Sequence, residues 1–179
     1  MASHKVIMVI AYYGYQPIEY EIPKKILLRA GFNVITASNK PGSATAKDKS
    51  TAKVDLTLDQ VAIQSYKAII FVGGSGALDN LDNQTSYQLL TQSVALGILI
   101  GAICIAPRIL AHAGILTDVA ATGWDDDNQL ASIFDEHGVN YIQAPVVSDQ
   151  NIITANGPTA ATQFADIIVQ TLKNKLSLS

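Results

Sequence analysis

The sequence predicts an α/β fold, a flavodoxin-like three-layer sandwich: a mostly parallel sheet with helices on both faces and a nucleophile elbow. Three observations predict it. Short apolar runs of strand length alternate with helix-length segments along the chain. Runs such as residues 5–11 and 67–72 are continuously apolar after a leading lysine, as strands buried on both faces are. A first strand, helix and strand are complete by Ala37, which makes a right-handed βαβ unit.

Residues 5–11, KVIMVIA, read as the first strand, and residues 12–16 as a tight connection. Pro17 opens a helix to about residue 30, where Gly31 caps it. Residues 32–37 form the second strand. Residues 38–50 are rich in Gly, Pro, Ser and Lys and read as a loop. A short strand or hairpin arm is expected over 52–57, one helical turn over 58–63, and a buried strand over 67–72. That strand ends in Gly73-Gly74-Ser75-Gly76, before a helix over 84–96. Residues 98–103 are a further buried strand, 119–122 a short one and 127–137 a helix. Residues 141–147 and 151–155 read as paired strands, and 159–176 as the last helix. No repeat or linker divides the chain, so one domain over residues 1–179 is expected.

Composition narrows the function. The 179 residues are 49% hydrophobic and 15% charged, with a net charge of −3, which leaves no electrostatic footprint for nucleic acid or acidic membranes. No apolar run approaches the ~20 residues of a membrane span. The N-terminal stretch shows no signal-peptide pattern. A single cysteine cannot form an internal disulfide, which fits a reducing compartment, and the expected location is the cytoplasm.

That cysteine, Cys104, follows the strand over 98–103 and precedes a helix expected over 105–113. Pro107 suits its first turn, where a missing N–H costs nothing. A thiol at a strand-to-helix turn among Gly101, Ala102 and Ala106 has the form of a nucleophile elbow. A helix start stabilises an anion, so a lowered thiol pKa is expected there. The bland alternative is a buried cysteine acting as a small hydrophobe. Three segments end at the carboxyl side of the expected sheet, where such folds bind ligands: residues 12–19, 73–76 and 104–105.

Four stretches in order carry a resemblance to the DJ-one/PfpI superfamily: residues 18–38, 71–81, 101–116 and 144–158. The resemblance implies that Cys104 is the reactive cysteine. It implies that Glu19, aligned through Glu19 to Pro23, is the acid beside it. In the family this acid is protonated and hydrogen-bonds the sulfur. It also implies an anion hole from the backbone N–H groups of Gly74 and Ile105. Gly73, Tyr13, Tyr15 and Trp124 are expected to line the pocket, with Asp125 or Asp126 at its rim. The resemblance further implies a homodimer.

The departures from the family matter as much. Ile105 stands where the peptidase branch commonly has histidine, and Trp124 near the place of a second histidine in the glyoxalase branch. Asn156 stands where many relatives carry arginine. His4, His112 and His137 are all assigned structural roles. No Cys/His cluster has ligand spacing, so neither metal nor cofactor is expected. The leading expectation is a cysteine-dependent enzyme acting on a small electrophile, glyoxalase III-like, through a Cys104–Glu19 dyad without histidine. The alternatives are a redox-sensing stress protein with an oxidisable cysteine, and a PfpI-type cysteine peptidase.

Overall fold

In a computed structural model the described residues are 4–178. Residues 1–3 and 179 of the expected domain lie outside them. In chain order the elements are β1 (Lys5–Ile10), β2 (Tyr13–Tyr15), α1 (Pro17–Arg29), β3 (Asn33–Ser38), β4 (Gly42–Ala46), β5 (Thr51–Val54) and β6 (Leu56–Thr57). There follow β7 (Ala68–Phe71), α2 (Ala77–Leu81), α3 (Gln84–Ala95), β8 (Leu99–Ile103), α4 (Pro107–His112) and β9 (Ala120–Ala121). The chain ends with α5 (Leu130–Glu136), β10 (Asn140–Tyr141), β11 (Val146–Asp149), β12 (Ile152–Ala155) and α6 (Ala161–Ser177).

The main sheet has the order β11-β12-β8-β7-β1-β3-β6. All its pairings are parallel except β11 with β12. Helices α1 and α6 pack together on one face, and α3 and α4 cover the other. The central strands are therefore buried on both sides, which is why their sequences do not alternate. In β8, Gly101 leaves room for α6: a Cβ there would stand 3.0 Å from Phe164 and 3.2 Å from Ile168. The chain builds from β1 towards β3 and β6, then returns through β7 to the other side. The switch point thus lies between β1 and β7, where an open α/β sheet forms its crevice.

Several boundaries differ from expectation. The stretch expected as loop over 38–50 contains β4, which forms a small second sheet in the order β2-β4-β5. The expected connection over 12–16 holds β2 of that same sheet. Its short, polar strands pair through backbone groups, a pattern that hydropathy does not register. The arm over 52–57 is broken at Asp55, whose N–H donates to Thr36 O at 2.9 Å. The helix expected from residue 105 begins only at Pro107, because residues 104–106 form the turn itself.

Candidate functional site

The site is assembled from the carboxyl ends of β1, β7 and β8. Two backbone hydrogen bonds tie the loop after β1 to the glycine turn after β7: Gln16 N–H to Gly73 O at 2.9 Å, and Gly76 N–H to Gly14 O at 3.2 Å. This contact needs glycine. Gly74 has φ +123°, and a Cβ on it would press into the backbone of Tyr15 and Gln16. Position 73 lacks a side chain for another reason. A Cβ there would lie 2.6 Å from Glu19 Oε2 and 2.7 Å from Cys104 Cβ. Gly73 is therefore the gap into which the carboxyl and the cysteine both fit.

Glu19 sits in the first turn of α1 and is fully buried. Its Oε2 accepts the Gly73 N–H at 3.0 Å. Oε1 lacks a partner of full hydrogen-bond geometry, and the neighbouring titratable group is the Cys104 thiol. Burial pushes this carboxyl up to about 7, against the smaller downward pulls of the thiol, the Gly73 N–H and the Lys47 charge.

Cys104 has φ +65°, a left-handed conformation costing about 1–2 kcal/mol for a non-glycine residue. Neighbouring backbone holds it there. Its N–H donates to Ala155 O at 2.9 Å, and its carbonyl accepts the Trp124 N–H at 2.7 Å. The backbone N–H groups of Ile105 and Gly74 pull the thiol pKa down. Burial nevertheless pushes the thiol up to about 12, and the Glu19 charge adds to that. The expected lowering by the helix start is overturned. The helix is only six residues long, and desolvation beside a carboxylate outweighs two N–H groups.

The thiol opens onto a cleft of ≈ 570 Å³ whose walls include Gln16, Lys47, Ser75, Trp124, Asn156 and Thr159. Trp124 lines it, and of the two neighbouring acids Asp126 reaches it and Asp125 does not. Two expected wall residues do not. Tyr15 is 1% exposed and packs edge-on against Tyr20, while Tyr13 is 56% exposed and packs against Tyr12. The reason is an irregularity in β2: Gly14 has φ +78° and the pairing register shifts between Tyr13 and Tyr15, so two rings that a regular strand would place on one face part, one into the core and one to solvent. Gly73 lies behind the pair rather than on the wall.

No histidine lines the cleft. His112 bonds Asp82 through Nδ1 at 2.7 Å, and its ring lies 5.3 Å from that of His137. Among the described residues, no three His, Cys, Asp or Glu side chains group as a metal site.

Sequence reasoning missed Lys47 and Arg108. Lys47 falls just after β4, in a segment expected to be loop. Arg108 is 3% exposed, with its guanidinium forked on Asp127 at 2.6 and 2.9 Å. It also donates to Trp124 O at 3.2 Å and lies 5.4 Å from the Trp124 ring. The Trp124 indole in turn donates to Asp126 at 3.0 Å. The fork holds the cleft wall. Arg108→Ala should lower stability by roughly 1–3 kcal/mol through the lost charged hydrogen bonds. It should also shift the fluorescence of the single tryptophan to longer wavelength, and an unchanged spectrum would show that the wall stands without the fork.

Comparison with known proteins identifies the family of this fold. The DJ-1/PfpI family model matches residues 4–171. A glutathione-independent glyoxalase of Caenorhabditis elegans is 28% identical over 158 residues, 88% of this chain and 83% of the relative. A deglycase of Pyrococcus horikoshii is 27% identical over 161 residues, 89% of this chain and 94% of the relative. The crystal structure of a ThiJ/PfpI domain protein from Brachyspira murdochii superposes with a TM-score of 0.91 at 28% identity, covering 97% of this chain and 99% of that one. The buried acid, the strained cysteine and the glycine turn thus stand on the scaffold those relatives share, and the chain belongs to the DJ-1/PfpI family.

Proposed function

We propose that the protein is a cysteine-dependent enzyme acting on small reactive carbonyls, with 2-oxoaldehydes such as methylglyoxal as the substrate class. The observation that carries this reading is a single buried carboxyl, poised near neutrality, beside a single thiol at a strained elbow. The relatives named glyoxalase and deglycase support the same class.

The chemistry follows from the pair. A thiol held protonated needs a base as it attacks, and the Glu19 carboxylate is the base beside it. The sulfur adds to the aldehyde carbon while its proton passes to Glu19 and on to the carbonyl oxygen, giving a hemithioacetal. The Gly74 and Ile105 N–H groups steady the developing oxyanion. Glu19, again ionised, takes the proton from the carbon bearing sulfur and returns it to the neighbouring carbonyl carbon, while the hydroxyl proton on the sulfur-bearing carbon passes to the neighbouring carbonyl oxygen. The product is the thioester of a 2-hydroxy acid. Water cleaves it, releasing the acid and restoring the thiol. One carbon is oxidised and its neighbour reduced within the same molecule, so no outside oxidant is required.

Two other readings rank lower. The Gly74 and Ile105 N–H groups, which lower the thiol pKa, would also suit an oxidised sulfinate, but a protonated thiol reacts slowly with peroxide. A Cys-His peptidase needs an imidazole, and Ile105 occupies the position where one would follow the cysteine. The deciding experiment compares lactate formation from methylglyoxal by wild type and Cys104→Ser. Loss of the nucleophile should lower kcat/KM by roughly 1000-fold or more. Equal turnover in the two proteins would sink the mechanism.

A further inference from the structure

Lys47 faces the same cleft as Cys104, yet the dyad mechanism gives it nothing to do. Its position is fixed by backbone bonds. Its N–H donates to Tyr15 O at 3.0 Å, next to Gln16, which also lines the cleft. The turn beyond it is closed by Ala46 N–H to Ser50 O at 2.8 Å and Lys49 N–H to Ala46 O at 3.0 Å.

Among the described residues no carboxylate pairs with it at ion-pair distance. The adjacent Asp48 is turned onto Ser50, accepting the N–H at 2.9 Å and the hydroxyl at 2.6 Å. Among the described residues the ion pairs are Lys53–Asp55, Arg108–Asp127 and His112–Asp82, and none involves Lys47. The one carboxylate on the cleft wall, Asp126, accepts the Trp124 indole N–H. The other polar wall residues, Gln16, Ser75, Asn156 and Thr159, are neutral. The cleft therefore presents one unpaired cation to whatever enters it. That charge also reaches the reacting groups, since it acts on Glu19.

We infer that Lys47 is the specificity-determining residue of the cleft, and that the preferred substrate is a 2-oxoaldehyde bearing a carboxylate at its far end. This deepens the carbonyl reading and takes its chemistry from it, while the selection by charge stands on the cleft alone. An ammonium several ångströms from a bound carboxylate near the surface favours it by roughly three- to tenfold.

The test uses the single cysteine. Iodoacetate and iodoacetamide alkylate a thiol alike and differ chiefly in charge. Their rate ratio at Cys104 cancels any change in thiolate fraction that a Lys47 substitution brings through Glu19. Lys47→Gln should lower the iodoacetate-to-iodoacetamide ratio roughly three- to tenfold, and Lys47→Glu should lower it further. A ratio that stays constant across the three proteins overturns the inference. In steady state, the kcat/KM of dioxovalerate relative to methylglyoxal should fall by a similar factor in Lys47→Gln. Equal losses for both substrates would likewise overturn the specificity role. If wild type turns over neither compound while the alkylation ratio still falls, the carbonyl reading fails and the anion-selecting role of Lys47 stands.

Discussion

Glu19→Gln should abolish most turnover and, in the same protein, flatten the dependence of stability on pH. The amide nearly matches the carboxyl in shape and can still accept the Gly73 N–H. It cannot accept the thiol proton, so kcat/KM should fall roughly 100- to 10,000-fold, as for other lost acid–base groups. The stability effect has a definite sign. Folding raises this carboxyl from 4.5 to about 7, so the folded protein holds the proton more tightly than the unfolded chain. Its contribution is fully present below pH 4.5 and is lost as pH rises towards 7. That loss amounts to about 3 kcal/mol in wild type, and the Gln variant should not show it. Urea denaturation at several pH values across this window checks the claim. Parallel slopes in the two proteins would mean that Glu19 folds without a raised pKa.

Gly73→Ala should disrupt the pair while leaving the fold recognisable. The added methyl carbon would lie 2.6 Å from Glu19 Oε2, 2.7 Å from Cys104 Cβ and 2.8 Å from Ile103 O. All three neighbours belong to a buried, tightly held cluster, so none can withdraw cheaply. Overpacking of this kind destabilises by about 1–3 kcal/mol. The consequence for turnover should be larger than for stability, because the carboxyl and the thiol must part to admit the methyl. A double-mutant cycle with Glu19→Ala identifies the cause. Removing the carboxyl frees space, so Gly73→Ala should destabilise that background less than it destabilises wild type. Equal penalties in both backgrounds would locate the strain elsewhere.

The centre of the sheet was legible because β1, β7 and β8 are short, almost continuously apolar runs of strand length. Cys104 and the glycine turn were legible as the ends of two such strands, and Glu19 only through the family's motif. The short strands β2 and β4 were not, because Tyr13-Gly14-Tyr15 and Gly42–Ala46 pair through backbone groups in a polar stretch. That oversight also misplaced two aromatic rings and hid Lys47. Arg108 was illegible for a different reason. It lies in the expected elbow helix, but only the fold brings Asp127 within reach across 19 positions of sequence. The thiol's environment could not be read from its neighbours in sequence either. A helix start is visible there, whereas the burial and the facing carboxylate that oppose it arise from α1.

Burial and the facing Glu19 charge together hold the Cys104 thiol protonated. The pH profile of Cys104 alkylation by iodoacetamide, in wild type and Glu19→Gln, tests this most directly. Tyrosines do not interfere, and the single cysteine makes the modified site unambiguous. In wild type the rate should keep rising well past the ordinary thiol value of 9.0, towards about 12. In Glu19→Gln the midpoint should move down, because the opposing negative charge is gone. A wild-type midpoint at or below 9.0, unmoved by the substitution, would contradict the account.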